Sequence, residues 1–131
     1  MEYKIRKCTE AGVKGGGKVM YCAVINYKGT KYIKDFVKYA EKRSTVTQSD
    51  IMAVLYNLVE YIETECDQGY KIDYGDLGKY YPSMFSKAVD TPQEVIPETI
   101  KNVKVRYKMS HRIKCALQSI QFKKATKVMI E

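Results

Sequence analysis

The chain has 131 residues, of which 45% are hydrophobic and 29% charged, and it carries a formal net charge of +8. This length suits one domain with its own core, and no stretch approaches the roughly 18 consecutive apolar residues that a membrane span requires. Basic residues dominate segments 1–43 and 79–115, whereas segment 44–78 is acidic, which indicates localised basic surfaces, either solvated or facing an anionic partner.

The N-terminal part of the chain shows strand periodicity twice. Residues Tyr3–Cys8 alternate between apolar and basic side chains, and Val19–Tyr27 place every second apolar side chain on one face. Half-buried strands show this period of two. Between them, residues 11–18 are rich in glycine and typical of a flexible turn. We therefore predict that residues 1–28 form a β-hairpin that extends the main domain and packs on it.

The glycine-rich segment also matches the core of a phosphate-binding loop. Gly12–Lys18 fits the pattern G-x-x-x-x-G-K. Such a loop needs a helix behind it and a serine or threonine hydroxyl for magnesium. Here Val19 stands at the hydroxyl position and strand periodicity follows, so we predict a hairpin turn and no nucleotide site.

Two helices are predicted next. Apolar residues recur at helical spacing from Ile33 to Ala40. Thr47 suits an N-cap, and Asp50 three residues later resembles a capping box with Asp in place of Glu. Gly69 supplies a left-handed stop for the second helix. The apolar stripe of that helix consists of Ile51, Val54, Leu55, Leu58 and Ile62.

The second half of the chain contains strand patterns, turn signals and one more helix. We find no internal repeat and no linker that would divide two domains. The predicted elements are a strand Tyr70–Tyr74, a tight turn Gly75–Gly78, a strand Lys79–Ser86, a projecting polar arm Lys87–Glu98, a returning strand Thr99–Lys108 and a helix capped by Ser110.

The titratable residues do not predict a metal site or an active site. Cys8, Cys22, Cys66 and Cys115 are far apart and form no C-x-x-C pair. No apolar run follows the basic N-terminus, so we expect a cytoplasmic protein with reduced cysteines. His111 lies four residues before Cys115 with no second ligand pair and no nucleophile beside it. We predict no enzyme, no cofactor and no small-molecule substrate.

Several short motifs follow one another at a recognisable spacing: Glu41–Thr47 with Asp50, Tyr74–Tyr80, Val89–Glu94, Ile100–Tyr107 and Lys108–Leu117. In their order and spacing they resemble the HU/IHF family of bacterial DNA-bending proteins. The resemblance is closest to the HU-like branch with an extra N-terminal hairpin, which is often found in the Bacteroides group. It covers roughly residues 30–122.

The resemblance implies an α+β fold of two N-terminal helices, a three-stranded sheet with a projecting β-arm, and a C-terminal helix. This domain would span residues 29–131, with the arm at about 82–99. In the family two chains form an intertwined homodimer, the arms reach around the minor groove, and a proline near each tip wedges between base pairs and bends the DNA. Pro92-Gln93 resembles the family's tip dipeptide, and a simple turn proline is the alternative interpretation.

The charge of the arm departs from the family pattern. HU arms carry arginines around the tip proline, whereas this chain has Asp90, Glu94 and Glu98, which repel phosphate. Positive charge lies instead at the base of the arm and in the last helix, where we predict DNA contact, with a solvated strand face as the alternative for the strand cations. The predicted DNA-binding residues are Lys79, Lys87, Pro92, Gln93, Lys101, Lys104, Arg106, Lys108, His111, Arg112 and Lys114.

The sequence thus predicts a non-catalytic, histone-like homodimer, associated with the nucleoid. It would bind double-stranded DNA with weak sequence preference and bend or compact it. Two alternatives stay open. The acidic arm tips of a dimer could bind a protein, with weak or absent DNA contact, or the basic saddle could bind RNA.

Overall fold

The computed structural model describes residues 1–9 and 17–125. Two compact units are present, one formed by Met1–Tyr32 with Gln118–Glu131 and the other by Ile33–Leu117. The domain division predicted near residue 28 stays a prediction. In chain order the elements are β1 (Glu2–Thr9), β2 (Val19–Ile25), α1 (Ile33–Arg43), α2 (Gln48–Asp67), β3 (Ile72–Asp73), β4 (Lys79–Ser86), β5 (Ile100–Lys108), α3 (His111–Gln118) and β6 (Lys123–Lys124).

The first unit is a small sheet with the strand order β2-β1-β6. Strands β1 and β2 are antiparallel from Tyr3 opposite Ile25 to Thr9 opposite Val19, and β6 adds to β1 in parallel. The connection predicted as a glycine-rich turn falls largely on residues 10–16, outside the described residues. Val19 begins a strand, and a phosphate-binding loop would need a helix at that place.

The second unit begins with two helices whose ends follow from the sequence. The Thr47 side chain accepts a hydrogen bond from the Asp50 N–H at 3.3 Å and donates to the Asp50 carboxylate at 2.9 Å, which confirms the predicted cap. At the other end Gly69 has φ 90°. Tyr70 N–H donates to the Glu65 carbonyl and Gly69 N–H to the Cys66 carbonyl. This is a Schellman stop.

The three-stranded sheet of the second unit has the order β3-β4-β5. A 3-10 turn at Gly75–Leu77 joins β3 to β4, and the Tyr107 hydroxyl of β5 donates to the Leu77 carbonyl at 2.8 Å. The Tyr74 hydroxyl donates to the Leu58 carbonyl of α2 at 2.9 Å. Partial burial raises the pKa of Tyr74. The two hydrogen bonds tie the turn to both β5 and α2.

Little apolar surface is buried within one chain. Among the described residues the buried apolar side chains are Val37, Ile51, Ile72 and Ala125. On α2, Val54, Tyr56 and Val59 remain 58%, 62% and 53% exposed. Beside them lies an apolar cavity of about 310 Å³. Its walls are formed by Ile33, Met52, Leu55, Tyr56, Leu58, Val59, Ile62, Tyr74, Leu77 and Tyr80.

No helix in the described part of the chain is long and apolar enough to cross a bilayer. Within residues 1–9 and 17–125, no group of three or more His, Cys, Asp or Glu side chains is placed to hold a metal ion.

Candidate nucleic-acid interface

A β-bulge determines which side chains share a face of the antiparallel pair β4–β5, which we call the ribbon. Ser83 lies opposite Lys104, but Phe85 lies opposite Lys101, so β5 has one residue more than β4 between these pairs. The extra residue is accommodated at Asn102, whose φ of 56° lies in the left-handed region. Asparagine enters that region more readily than most residues. The bulge reverses the alternation of β5 and thereby turns Lys101 to the face that carries Lys104.

One face of the ribbon is consequently basic along its whole length. The register places Lys79 opposite Lys108, Tyr81 opposite Arg106 and Ser83 opposite Lys104. Since side chains two residues apart share a face, these residues and the Lys101–Phe85 pair lie on one side. We call this side the basic face and define it by Lys79, Lys101, Lys104, Arg106 and Lys108.

The opposite face of the ribbon is apolar. Tyr80 lies opposite Tyr107, with ring centroids 5.2 Å apart, and edge-on to Tyr74 at 5.9 Å. Tyr80 also lines the cavity beside α2. Only the Tyr80 end of the apolar face lies toward α2, because Met84 and Val103 farther along that face are 60% and 72% exposed. All five cations of the basic face are exposed.

Most cations of the basic face are not neutralised by carboxylates. Of the described residues, Lys79 pairs with Asp73 at 3.8 Å and Arg112 with Asp76 at 3.1 Å. Arg106 Nε donates to the Ser83 hydroxyl at 3.2 Å, which orients the guanidinium without cancelling its charge. The ion pairs are solvent-exposed, and such pairs contribute little free energy, so a phosphate can compete for their cations.

Helix α3 begins beside the base of the ribbon. The Ser110 hydroxyl accepts from the Ile113 N–H at 3.3 Å, as predicted for a cap, and donates to the Asp76 carbonyl at 2.6 Å. An open cleft of about 520 Å³ lies where the start of α3 meets the base of the ribbon. It brings four of the predicted residues together, namely Lys79, Lys108, His111 and Arg112.

His111 also contacts the thiol of Cys115, with Nε2 3.3 Å from Sγ. The contact follows from the i, i+4 spacing on α3. Lys114 lies on the same helix and is exposed.

The predicted arm tip lies apart from this cluster. Pairing continues to Ser86 opposite Ile100, and Lys87 N–H donates to the Thr99 carbonyl at 2.9 Å. Beyond that point Pro92–Glu94 and Pro97–Thr99 form two 3-10 turns, each begun by its proline. Pro92 and Gln93 are exposed there, beside the acidic Glu94.

The structure thus places the five cations of the basic face in one row along the ribbon, and at the base of this row Lys79 and Lys108 share the cleft with His111 and Arg112. The other predicted residues lie outside this arrangement: Lys114 on α3, Lys87 at the end of the ribbon, and Pro92 and Gln93 in the loop. Sequence reasoning missed Tyr81 and Phe85, which share the basic face, and it missed the bulge. The signal for the bulge was the imperfect alternation of Ile100, Val103, Val105 and Tyr107.

Comparison with known proteins gives a family and a fold. The family HU-HIG, described as an HU domain fused to wHTH, Ig, or glycine-rich motif, matches residues 1–124. A crystal structure from Bacteroides vulgatus ATCC 8482, provisionally described as a bacterial DNA-binding protein, matches with a TM-score of 0.54 at 12% identity. The match covers 99% of this chain and 49% of that one, so this chain spans about half its length. No curated protein matches the chain.

Proposed function

Because this chain belongs to the HU-HIG family, whose members contain an HU domain, we propose that it is a non-catalytic protein that binds double-stranded DNA with little sequence preference. The structural neighbour from Bacteroides vulgatus, provisionally described as a DNA-binding protein, supports the same class of partner. Such binding would associate the protein with the nucleoid.

The observation that carries this proposal is the bulge at Asn102. It places Lys101, Lys104, Arg106 and Lys108 in one exposed row. A row of cations along a ribbon suits the row of phosphates along a DNA strand, and neutralising phosphates releases condensed counterions. Contacts of this kind position a protein on DNA but carry no sequence information themselves. Weak sequence preference follows from them.

The working form that we propose is an intertwined homodimer with the HU-like arrangement of helices, sheet and arm. Support comes from the exposed apolar residues of α2, Val54, Tyr56 and Val59, and from the apolar cavity beside them. A second chain packed on this helix would remove the surface from water, at about 25 cal/mol per Å² buried. The two basic faces of such a dimer would together form the DNA-binding saddle.

DNA bending is a further part of the proposal. Pro92 begins a 3-10 turn near the middle of the loop between β4 and β5, where a rigid apolar tip could wedge between base pairs. Asp90 and Glu94 repel phosphate near that tip. Insertion of Pro92 would therefore have to provide the binding energy at the tip that charge does not provide. The contacts with phosphates would remain with the basic face.

Fluorescence anisotropy with short duplexes of DNA and RNA, titrated with salt, tests the proposed partner. We expect saturable binding to duplex DNA at low salt and a linear fall of log affinity with log salt, with a slope near −0.9 per neutralised phosphate. Neutralisation of roughly four to eight phosphates by a dimer would give a steep line.

Two other outcomes of this titration would contradict the proposal. Absence of binding to either duplex at low salt would favour a protein-interaction module that uses the acidic arm tips. Tighter binding to duplex RNA than to duplex DNA would favour an RNA-binding variant.

A further inference from the structure

Strand β2 forms an edge of its sheet that lacks the usual protection. In the described part of the chain, the sheet order β2-β1-β6 leaves one side of β2 without a strand. Edge strands are normally blunted by charged side chains, proline or a bulge, because their free N–H and C=O groups can pair with another chain. The sequence of β2, VMYCAVI, contains no charged residue and no proline, and its pairing with β1 is regular throughout.

The residues of β2 are also apolar and open to solvent. Val19, Met20, Tyr21 and Ile25 are 50%, 47%, 61% and 42% exposed. These residues come from both faces of the strand, since successive side chains alternate. Exposure on both faces, together with a free edge, leaves β2 with apolar surface that a further strand would cover.

The hydrogen bonds show which peptide groups point to the free edge. Asn26 N–H donates to the Glu2 carbonyl, whereas the carbonyls of Met1 and Tyr3 accept from the β6 side. Even-numbered residues of β1 therefore exchange hydrogen bonds with their even-numbered partners in β2, such as Arg6 with Cys22. The outward N–H and C=O groups of β2 are consequently those of Val19, Tyr21, Ala23 and Ile25.

This pattern is complementary to itself. If two copies of β2 pair antiparallel about Cys22, Tyr21 meets the second copy's Ala23 and Val19 meets its Ile25, all four through outward peptide groups. A large side chain then lies opposite a small one, and Met20 lies opposite Val24. Cys22 faces its own copy in a non-hydrogen-bonded pair, where Cα atoms are about 4.5 Å apart.

The charge of the chain permits the same occupant at this edge. The chain carries a net charge of +8, so two copies repel each other over much of their surface. An uncharged strand lets them approach, and in the paired arrangement the basic side chains of the two β1 strands are about three strand spacings, roughly 14 Å, apart. That separation exceeds the Debye length of about 8 Å at physiological salt.

We propose that β2 is a self-association edge, through which a second copy of this chain extends the sheet by antiparallel β2–β2 pairing centred on Cys22. This interface is separate from the homodimer proposed above through α2, and it does not depend on DNA.

Disulfide trapping without DNA tests the register. A variant with Cys8→Ser, Cys66→Ser and Cys115→Ser keeps Cys22 as its only cysteine; Cys8 has to be removed because its thiol shares a hydrogen bond with Cys22. Diamide, an azo oxidant, takes two electrons and two protons from two Cys22 thiols and becomes a hydrazine while the S–S bond forms. The positional control carries Met20→Cys and Cys22→Ser, and its two thiols would be about 13 Å apart along the paired strands, too far for a disulfide.

We expect disulfide-linked dimers from the Cys22 variant at micromolar concentration and at least ten-fold fewer from the Met20→Cys control. Adding Ala23→Pro to the Cys22 variant removes an outward N–H that the β1 ladder does not use, and it should lower the yield about ten-fold. Tyr21→Lys, at a residue 61% exposed, puts a charge on the edge without disturbing the fold and should act in the same direction. Equal yields from the two cysteine positions, or unchanged yields in both edge variants, would overturn the proposal.

Discussion

Gly78 is the residue of the β3–β4 turn with the least freedom to change. Its φ is 119°, and a Cβ placed there would lie 2.5 Å from Tyr107 Cε2 and 2.7 Å from the Lys108 carbonyl oxygen. Gly78→Ala should therefore lower the free energy of unfolding by about 2–4 kcal/mol, from left-handed strain and overpacking combined. Gly75→Ala is the matched control, because its φ is 64° but no atom lies within 4 Å of the added Cβ; it should cost about 1–2 kcal/mol. Urea denaturation of both variants measures the difference, and equal losses would contradict the crowding.

Asn102 matters because its conformation sets the phase of β5. Asn102→Val should destabilise the fold by about 1–3 kcal/mol, since a β-branched side chain is strained at φ 56°. Asn102→Gly, which meets no such strain, should leave thermal stability and duplex affinity close to those of the original chain. Differential scanning calorimetry measures the stabilities. Equal stability of the two variants would show that the left-handed bulge is not a requirement of the native state.

Variants in the loop between β4 and β5 distinguish DNA bending from DNA binding. Pro92→Ala should leave duplex affinity within a few-fold, because the proposed phosphate contacts belong to the lysines of the ribbon, but it should reduce DNA bending measured by energy transfer between duplex ends. Pro97→Ala is the matched control, since Pro97 begins a second 3-10 turn of the same loop. A wedge also predicts preference for nicked or pre-kinked DNA, because unstacking a base step costs a few kcal/mol.

One result would contradict the proposed insertion of Pro92 between base pairs. An original chain that neither bends duplexes nor prefers nicked DNA would show that its acidic tip inserts nothing. The protein would then bind DNA through the basic face alone.

At the level of elements, local signals in the sequence predicted most of the second unit. The predicted strand Lys79–Ser86 matches β4 residue for residue, and the caps at Thr47, Gly69 and Ser110 are where they were expected. Such signals are local because a hydroxyl or a glycine acts within a few residues. The strand β6 was missed, because two lysines carry no strand periodicity and their pairing with β1 joins distant parts of the chain.

The sequence predicted which residues form the basic face better than it predicted how they are arranged. The three lysines and one arginine of the returning strand pointed to a basic surface, but period-two alternation alone places Lys101 on the face opposite to Lys104 and Arg106. Only the bulge at Asn102 brings them together, and a bulge depends on how two strands pair. The predicted α+β class and HU-like domain are confirmed, whereas the individual contacts with DNA stay predictions.

The whole molecule should be a dimer at micromolar concentration. Val59→Asp, at a residue 53% exposed in the single chain, would bury a charge if a second chain packs on α2. It should cost about 3 kcal/mol or more, at least a 100-fold loss in dimer affinity by sedimentation velocity. Asn57→Asp adds the same charge at an exposed polar position of α2 and should have little effect. A stable folded monomer of the original chain at this concentration would contradict the HU-like dimer.

A dimer through α2 and a second contact through β2 would have a joint consequence. Two different self-complementary interfaces on one chain link copies into an extended assembly unless the geometry closes a ring. Basic faces repeated along such an assembly would contact neighbouring segments of one duplex, which is one physical route to compaction. Variants of α2 and of β2 should therefore affect different steps of assembly.

The most direct test of the DNA-binding claim compares two double variants across a salt titration on one duplex. Lys104→Ala with Arg106→Ala removes two cations from the basic face, and Lys38→Ala with Lys42→Ala removes the same charge from exposed positions of α1. The ribbon variant should bind all duplex sequences more weakly and flatten the salt slope by about 0.9 per lost phosphate contact, whereas the α1 variant should change both quantities much less. Unchanged affinity in the ribbon variant, or equal losses in the two variants, would contradict the assignment of DNA binding to the basic face.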